Sequence, residues 1–353
     1  MKAITKTNFV KNIFLVAISL VSLQTFAQEE EETPKKFTLS GSVDAYFRTN
    51  IGGPVGEDAI APATSFANLN GFALGMANFI ASYEGEKVGF VADLVFGPRG
   101  EEAVFGSLPS NNIVNQLYVY WNVSESVTLT MGNFNTFLGY EVISPVANFN
   151  YSTSYMFSYG PFSHTGIKAD FALSDDFSLM LAVMNSTDET EFNIDGSYTA
   201  GAQLGYKGQF LNFLYGEQTN SNDALFQIDY TGGFDLSDSF FLGLNATYND
   251  TDGSGFYGAA LYPQLTTSES FAIGLRAEYF KEFEGGVGAL GVYDGGGDSS
   301  VFDITLTGSY TVGDLIIKPE LRLDTGSEDI FLNKDLEPNG SLSSFVVAAI
   351  YSF

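Results

Sequence analysis

Charged side chains in this 353-residue sequence recur at two-residue spacing inside otherwise apolar runs. Lys168 and Asp170 alternate with Ile167, Ala169 and Phe171. Arg276 and Glu278 alternate with Leu275, Ala277 and Tyr279. Lys318, Glu320, Arg322 and Asp324 alternate with Ile317, Pro319, Leu321 and Leu323, and Asp44 and Arg48 share one parity near the N-terminus. Residues two apart lie on one face of an extended strand. A face of mixed acids and bases has two compatible uses. It lines a wet passage and selects ions or solutes by charge, or it pairs internally and satisfies groups held away from water.

Covalent chemistry has little to work with. His164 is the only histidine, and there is no cysteine. Ser163 and His164 are adjacent, so in a strand they point to opposite faces and do not form the hydrogen-bonded pair a hydrolase needs. His164 is expected to be a hydrogen-bonded structural residue. The lack of cysteine excludes disulfides, zinc–thiolate sites and thiol catalysis. Residues 249–255, Asn-Asp-Thr-Asp-Gly-Ser-Gly, loosely resemble a calcium loop, but the helix–loop–helix pattern needs a Glu where Leu261 stands. They read as a hairpin turn, and Asp294 to Asp298 as a flexible loop whose acids hold Ca²⁺ or Mg²⁺ only loosely. No enzymatic activity, cofactor or metal centre is expected.

The chain starts with an export signal. Lys2, Lys6 and Lys11 precede an apolar run from Ile13 to Leu23, and Ala27 is followed by polar Gln28 and the acids Glu29 to Glu32. Residues 1–27 read as a signal peptide and 28–36 as an acidic leader. Removing 1–27 takes three lysines and no acid, which leaves 12 basic and 42 acidic residues. Such an excess of acid argues against nucleic-acid binding. After residue 27 no apolar stretch reaches the ~18 residues of a membrane-spanning helix.

What positions the charged faces is a long series of strands. Sixteen candidates of about ten residues run from Phe37 to Phe353, with alternating polarity along most of them. Short turns such as Ser124-Glu125-Ser126, Ser174-Asp175-Asp176, Lys207-Gly208 and Val312-Gly313-Asp314 alternate with longer breaks. An even strand count with alternating short and long connections predicts an all-β, antiparallel, up-and-down transmembrane β-barrel over 37–353. Charged faces avoid hydrocarbon and turn to the lumen, which places Asp44, Arg48, Lys168, Asp170, Arg276, Glu278, Lys318, Glu320, Arg322 and Asp324 there.

One stretch fits neither strand nor helix. Residues 135–161 form the third outer loop, aromatic and interrupted by Gly139, Pro145, Gly160 and Pro161. A long loop with so much to pack is expected to fold into the lumen. Glu141 is its acid expected at a constriction, a solvated loop acid being the plainer alternative. Whether the loop constricts the lumen or plugs it is open at this level.

Residues 132–171 (GNFNTFLGYEVISPVANFNYSTSYMFSYGPFSHTGIKADF), LRAEYFKE at 275–282 and PELRLDTGSEDIF at 319–331 resemble the OmpL-like β-barrel porins. The final strand, SFVVAAIYSF, is similar to porin C-termini that end in Phe, here Phe353, which barrel-assembly machinery reads. The resemblance implies a porin of Gram-negative outer membranes that passes small hydrophilic solutes or ions passively. It also implies outer-membrane lipid around the barrel and, by porin analogy, a homotrimer. The rival is a plugged barrel acting as a surface binding or structural protein.

Overall fold

The computed structural model describes residues 36–109, 112–219, 223–291 and 298–353. The signal peptide and nearly all of the acidic leader lie outside the described residues, as does most of the Asp294–Asp298 loop.

Sixteen antiparallel strands close into one barrel. They are β1 (Lys36–Asn50), β2 (Gly71–Glu84), β3 (Val88–Phe96), β4 (Val114–Ser124), β5 (Val127–Asn135), β6 (Ser163–Ala172), β7 (Phe177–Met184) and β8 (Thr199–Tyr206) in the first half. The second half is β9 (Gln209–Glu217), β10 (Ala224–Asp235), β11 (Phe240–Thr251), β12 (Ser254–Thr266), β13 (Phe271–Phe283), β14 (Ser300–Val312), β15 (Leu315–Gly326) and β16 (Ser341–Ser352). Each strand pairs with its sequence neighbours, and β1 pairs with β16 from Ser42↔Ser352 to Asn50↔Ser344. Beyond that seam, Phe353 and Gly41 exchange two backbone hydrogen bonds of 3.1 Å. Closure leaves the barrel itself no unpaired strand edge.

Side-chain alternation decides what faces where. Phe72 is 91% exposed, Leu74 68% and Met131 65%, all on the outer face. Rows of bare apolar side chains on the outside, with charges inside, suit a wall set in hydrocarbon. Two tight connections take the left-handed backbone that suits two-residue hairpins: Lys207-Gly208 at φ 50° and 80°, and Asp252-Gly253 at φ 52° and 85°. The second makes 249–255 a hairpin turn; the Asp250 carboxylate accepts from the Gly253 amide at 2.9 Å.

The long connection runs from 136 to 162 rather than 135 to 161, because β6 starts at Ser163, three residues before the alternation at Gly166 becomes visible. The early residues pair Asn135↔Ser163 and Phe134↔His164. Their outward side chains are polar because the 185–198 connection covers them: Thr165 donates to Asn133 Oδ1 and to the Thr190 carbonyl, both at 3.0 Å. The apolar core sits inside the barrel. Each of its four buried clusters contains at least one residue of 136–162: Tyr155 and Met156, then Ile143, Phe157 and Phe162, then Leu138, then Tyr151.

Candidate functional site

The segment 136–162 has few regular backbone hydrogen bonds of its own, so its amides and carbonyls need partners. Inward side chains on the wall supply them. The Glu320 carboxylate on β15 accepts the Tyr151 and Ser152 amides at 2.8 and 3.2 Å. Glu278 on β13 accepts the Tyr155 and Met156 amides at 2.9 and 2.7 Å. These last two open the short helix Tyr155–Tyr159, whose N-cap Ser154 accepts the Phe157 amide at 3.1 Å. The cations take carbonyls. Arg276 donates to Ser152 O at 2.6 Å, and Arg322 to Thr153 O at 2.8 Å. Lys318 donates to Pro145 O at 3.0 Å and also to Asn148 O.

Full charges on the wall thus grip a neutral backbone. They also neutralise one another. Arg276 pairs with Asp303 at 2.6 Å and with Glu141 at 2.8 Å, and Arg322 pairs with Asp324 at 2.8 Å. Asp44 accepts from the Tyr151 hydroxyl at 2.5 Å. Burial, then the neighbouring Asp44 carboxylate, pushes that hydroxyl's pKa far above its usual range, so it remains a donor. Arg48 reaches the Ile60 carbonyl of the first long connection at 3.2 Å and Asn50 at 2.9 Å.

Shape supports the same grip. Inward Gly243 lies under the Tyr140 hydroxyl and inward Gly274 under the Phe149 ring; a Cβ at either would overlap it. On the opposite wall the partners are neutral or singly charged. Asp229 on β10 accepts the Gly139 amide at 2.9 Å, and Gln203 on β8 donates to the Phe137 carbonyl at 3.2 Å.

The eleven charged residues singled out in the sequence therefore fall into two groups. Asp44, Arg48, Glu141, Arg276, Glu278, Lys318, Glu320, Arg322 and Asp324 come together in one buried network around the loop. Glu141 is not a solvated loop acid: its carboxylate also accepts the Ser154 amide at 2.6 Å. Lys168 and Asp170 stand apart, paired with each other at 2.9 Å and partly open to the lumen. Phe353 ends the closing seam with its ring 6.1 Å from Phe79. His164 is fully buried and inward, with Nε2 3.0 Å from Thr136 Oγ and its ring beside Phe137.

Some charged residues of the site were missed by sequence reasoning. Asp303 and Asp229 carry the same two-residue parity as their strand neighbours, so alternation alone would have found them. Arg99 had no such signal, because it sits in the break after β3. It is buried, donates to Ile143 O at 2.9 Å and Tyr151 O at 3.2 Å, and stacks 4.3 Å above the Phe66 ring.

Similar proteins share this architecture. The outer membrane channel DcaP of Acinetobacter baumannii matches at TM-score 0.59 and 14% identity, over 93% of this chain and 100% of that one. An anion-selective porin from Comamonas acidovorans matches at TM-score 0.57 and 10% identity, over 90% and 100%. A trimer form of OmpT, an outer membrane protein of Vibrio cholerae, matches at TM-score 0.53 and 10% identity, over 90% and 99%. At these identities the likeness is one of fold. No curated protein sequence matches the chain. The family described as beta-barrel porin-2, OmpL-like, matches residues 36–353. The chain belongs to this family and is an outer-membrane porin.

Proposed function

We propose that this porin passes small hydrophilic solutes and ions by steric and electrostatic filtering, with no chemical step, and that segment 135–161 sets its narrowest point. The observation that carries this is the two-sided grip on the loop. Glu278, Glu320, Arg276, Arg322 and Lys318 hold its backbone on one wall, and Asp229 and Gln203 hold it on the other. A loop tied across a barrel fixes an aperture, where a loop tied at its ends alone would wander. The selected charges act mainly by holding the loop, and Lys168 and Asp170 act on the solute directly. Phe353 serves as the barrel-insertion terminus, and a homotrimer, as the OmpT form is described, is the proposed assembly.

A second reading has its own support. The four apolar clusters that the loop completes leave the lumen densely filled at its level, as a plugged barrel used for surface binding would be. Single-channel conductance in planar bilayers, together with liposome swelling in sugars of graded size, separates the two. A constricted porin conducts as wild type and conducts more after a deletion inside 140–158. A plug gives no conductance or swelling until the deletion is made.

A further inference from the structure

We propose that the aperture is built by two connections, with 51–70 seated on 136–162, and that Arg99 is the positioning residue that keeps the first on the second. The inference rests on the porin reading above. The connection 51–70 carries its own anchor. Phe66 is 1% exposed and shares one buried cluster with Met76 and Val95 of the wall and with Ile143, Phe157 and Phe162 of the long connection. Its ring centre lies 5.7 Å from that of Phe157 and 5.8 Å from that of Phe162. The backbone is tied at the same place. The Ser65 amide donates to Ser158 Oγ at 2.8 Å, and Thr153 Oγ1 donates to the Ser65 carbonyl. On the wall side, the Tyr46 hydroxyl accepts the Leu69 amide at 3.0 Å.

The seat is strained. Phe66 and Ala67 have φ of 69° and 56°, the left-handed backbone that favours glycine. Two such residues in a row persist only where their surroundings over-determine them. The short helix Pro98–Ala103 supplies that constraint from two sides. Its Glu102 carboxylate accepts the Phe66 amide at 2.7 Å. Its Arg99 guanidinium lies 4.3 Å over the Phe66 ring while donating to the Ile143 and Tyr151 carbonyls at 2.9 and 3.2 Å. One planar cation thus touches the ring of one connection and two carbonyls of the other. A lysine has no plane to stack and carries its donors on a single atom, so it cannot make both contacts at once. Among the described ion pairs none involves Arg99, and its described contacts all go to the two connections. Without Arg99 the strain at Phe66 and Ala67 favours release of 51–70, and the aperture loses one of its two parts.

The test uses the full-length refolded barrel. Because the chain has no cysteine, Ser65→Cys with Ser158→Cys supplies a unique thiol pair across the two connections, at residues already in hydrogen-bond contact. Disulfide formation in this pair is expected to be fast with Arg99 present. It is expected to slow about tenfold when Arg99→Met is added, the scale of losing hydrogen bonds made by a charged group. Arg99→Lys slows it in the same direction and serves if Arg99→Met does not refold. Ala67→Gly relieves the left-handed strain and is expected to speed it. Single-channel conductance in planar bilayers reads the aperture. Arg99→Met should conduct more than wild type. Arg99 also touches 136–162 directly, so the thiol pair separates the two routes: in the Arg99→Met background, oxidation should bring conductance back down and reduction should raise it again. Cross-linking that ignores Arg99→Met and Arg99→Lys would overturn the positioning role. Conductance in Arg99→Met that does not respond to oxidation would overturn the place of 51–70 in the aperture. A wild-type barrel that gives no conductance, with cross-linking that still depends on Arg99, would instead overturn the porin reading and leave the seating of 51–70 supported.

Discussion

Two walls of one barrel hold the same loop by different chemistry. From β13 through β16 to β1, carboxylates take backbone amides and guanidinium groups take backbone carbonyls, all buried. From β8 to β11, amide side chains and one carboxylate do the holding, as in Gln203 to Phe137 O and Asp229 to Gly139 N. The charged wall gains strong, directional bonds, but every member depends on every other. Removing one leaves its partner charged and dry. The neutral wall gains less per contact and loses less when a contact goes. The charged wall is therefore the one whose single loss releases the loop, while the neutral wall tolerates the loss of one contact.

The largest expected effect breaks the charged wall at its centre. Arg276→Met takes the nearest cation from Asp303 and Glu141, leaving Asp303 with Arg322 at 3.7 Å, and frees the Ser152 carbonyl. Losing one partner of a buried pair costs ~3–5 kcal/mol, so urea unfolding of the refolded barrel should shift strongly, and single-channel conductance should rise as the loop releases. Gln203→Leu on the neutral wall removes two ordinary hydrogen bonds, those donated to Phe137 O and Asn212 Oδ1, each worth about 1 kcal/mol, and should leave conductance near wild type. Equal effects from the two variants would mean that the walls do not differ in the way described.

Shape can be tested without touching a charge. Gly274→Val puts a branched side chain where the Phe149 ring lies. Overpacking of this kind costs ~1–3 kcal/mol and should push the loop off the β13 wall, with conductance changed. Adding Phe149→Ala makes room and should recover stability relative to Gly274→Val alone. Failure of that recovery would show that the ring does not press on this wall.

The exit of the loop is held by a different device. Asp188, in the 185–198 connection, accepts the Phe162 and Ser163 amides at 2.7 and 2.9 Å. Burial pushes its carboxyl up to about 6, against the two backbone hydrogen bonds. A folded-state pKa above the unfolded value favours the protonated form on folding. Its contribution to stability is thus present below about pH 4, the model-peptide value, and is lost as pH rises through about 6. Unfolding midpoints of wild type should fall over that window, and Asp188→Asn should flatten the slope there. An identical slope in both chains would remove Asp188 from the account.

Much of this was legible in the chain. Alternation at Lys318, Glu320, Arg322 and Asp324 fixed their inward side, because a strand repeats every two residues regardless of its partners. The strand count followed from the same rule. The role of those charges was not legible, since period-2 parity says which face a residue is on and nothing about what lies opposite. That needed the loop, whose aromatics mark packing without naming the socket: Gly243 and Gly274 are ordinary strand glycines until Tyr140 and Phe149 arrive over them. Arg99 was hidden for a related reason. It lies in a short helix, Pro98–Ala103, whose position depends entirely on tertiary contacts.

The smallest effect belongs to the pair that stands outside both walls. Lys168 and Asp170 meet at 2.9 Å with their side chains 24% and 40% exposed, and Lys168 sits 5.5 Å over the Phe134 ring. Exposed pairs are worth about 0–1 kcal/mol, so Lys168→Gln should barely move the unfolding midpoint. Its electrical effect has a definite sign. Losing the cation leaves Asp170 unopposed on the lumen surface, which adds one negative charge and should raise the cation-to-anion permeability ratio slightly at low salt. Because the group is wet, raising the ionic strength should erase the difference once the screening length falls to a few ångströms, about 3 Å at 1 M. If the difference survives at that salt, Lys168 and Asp170 are not open to bulk water, and the contrast between the buried, loop-holding charges and this wet pair disappears.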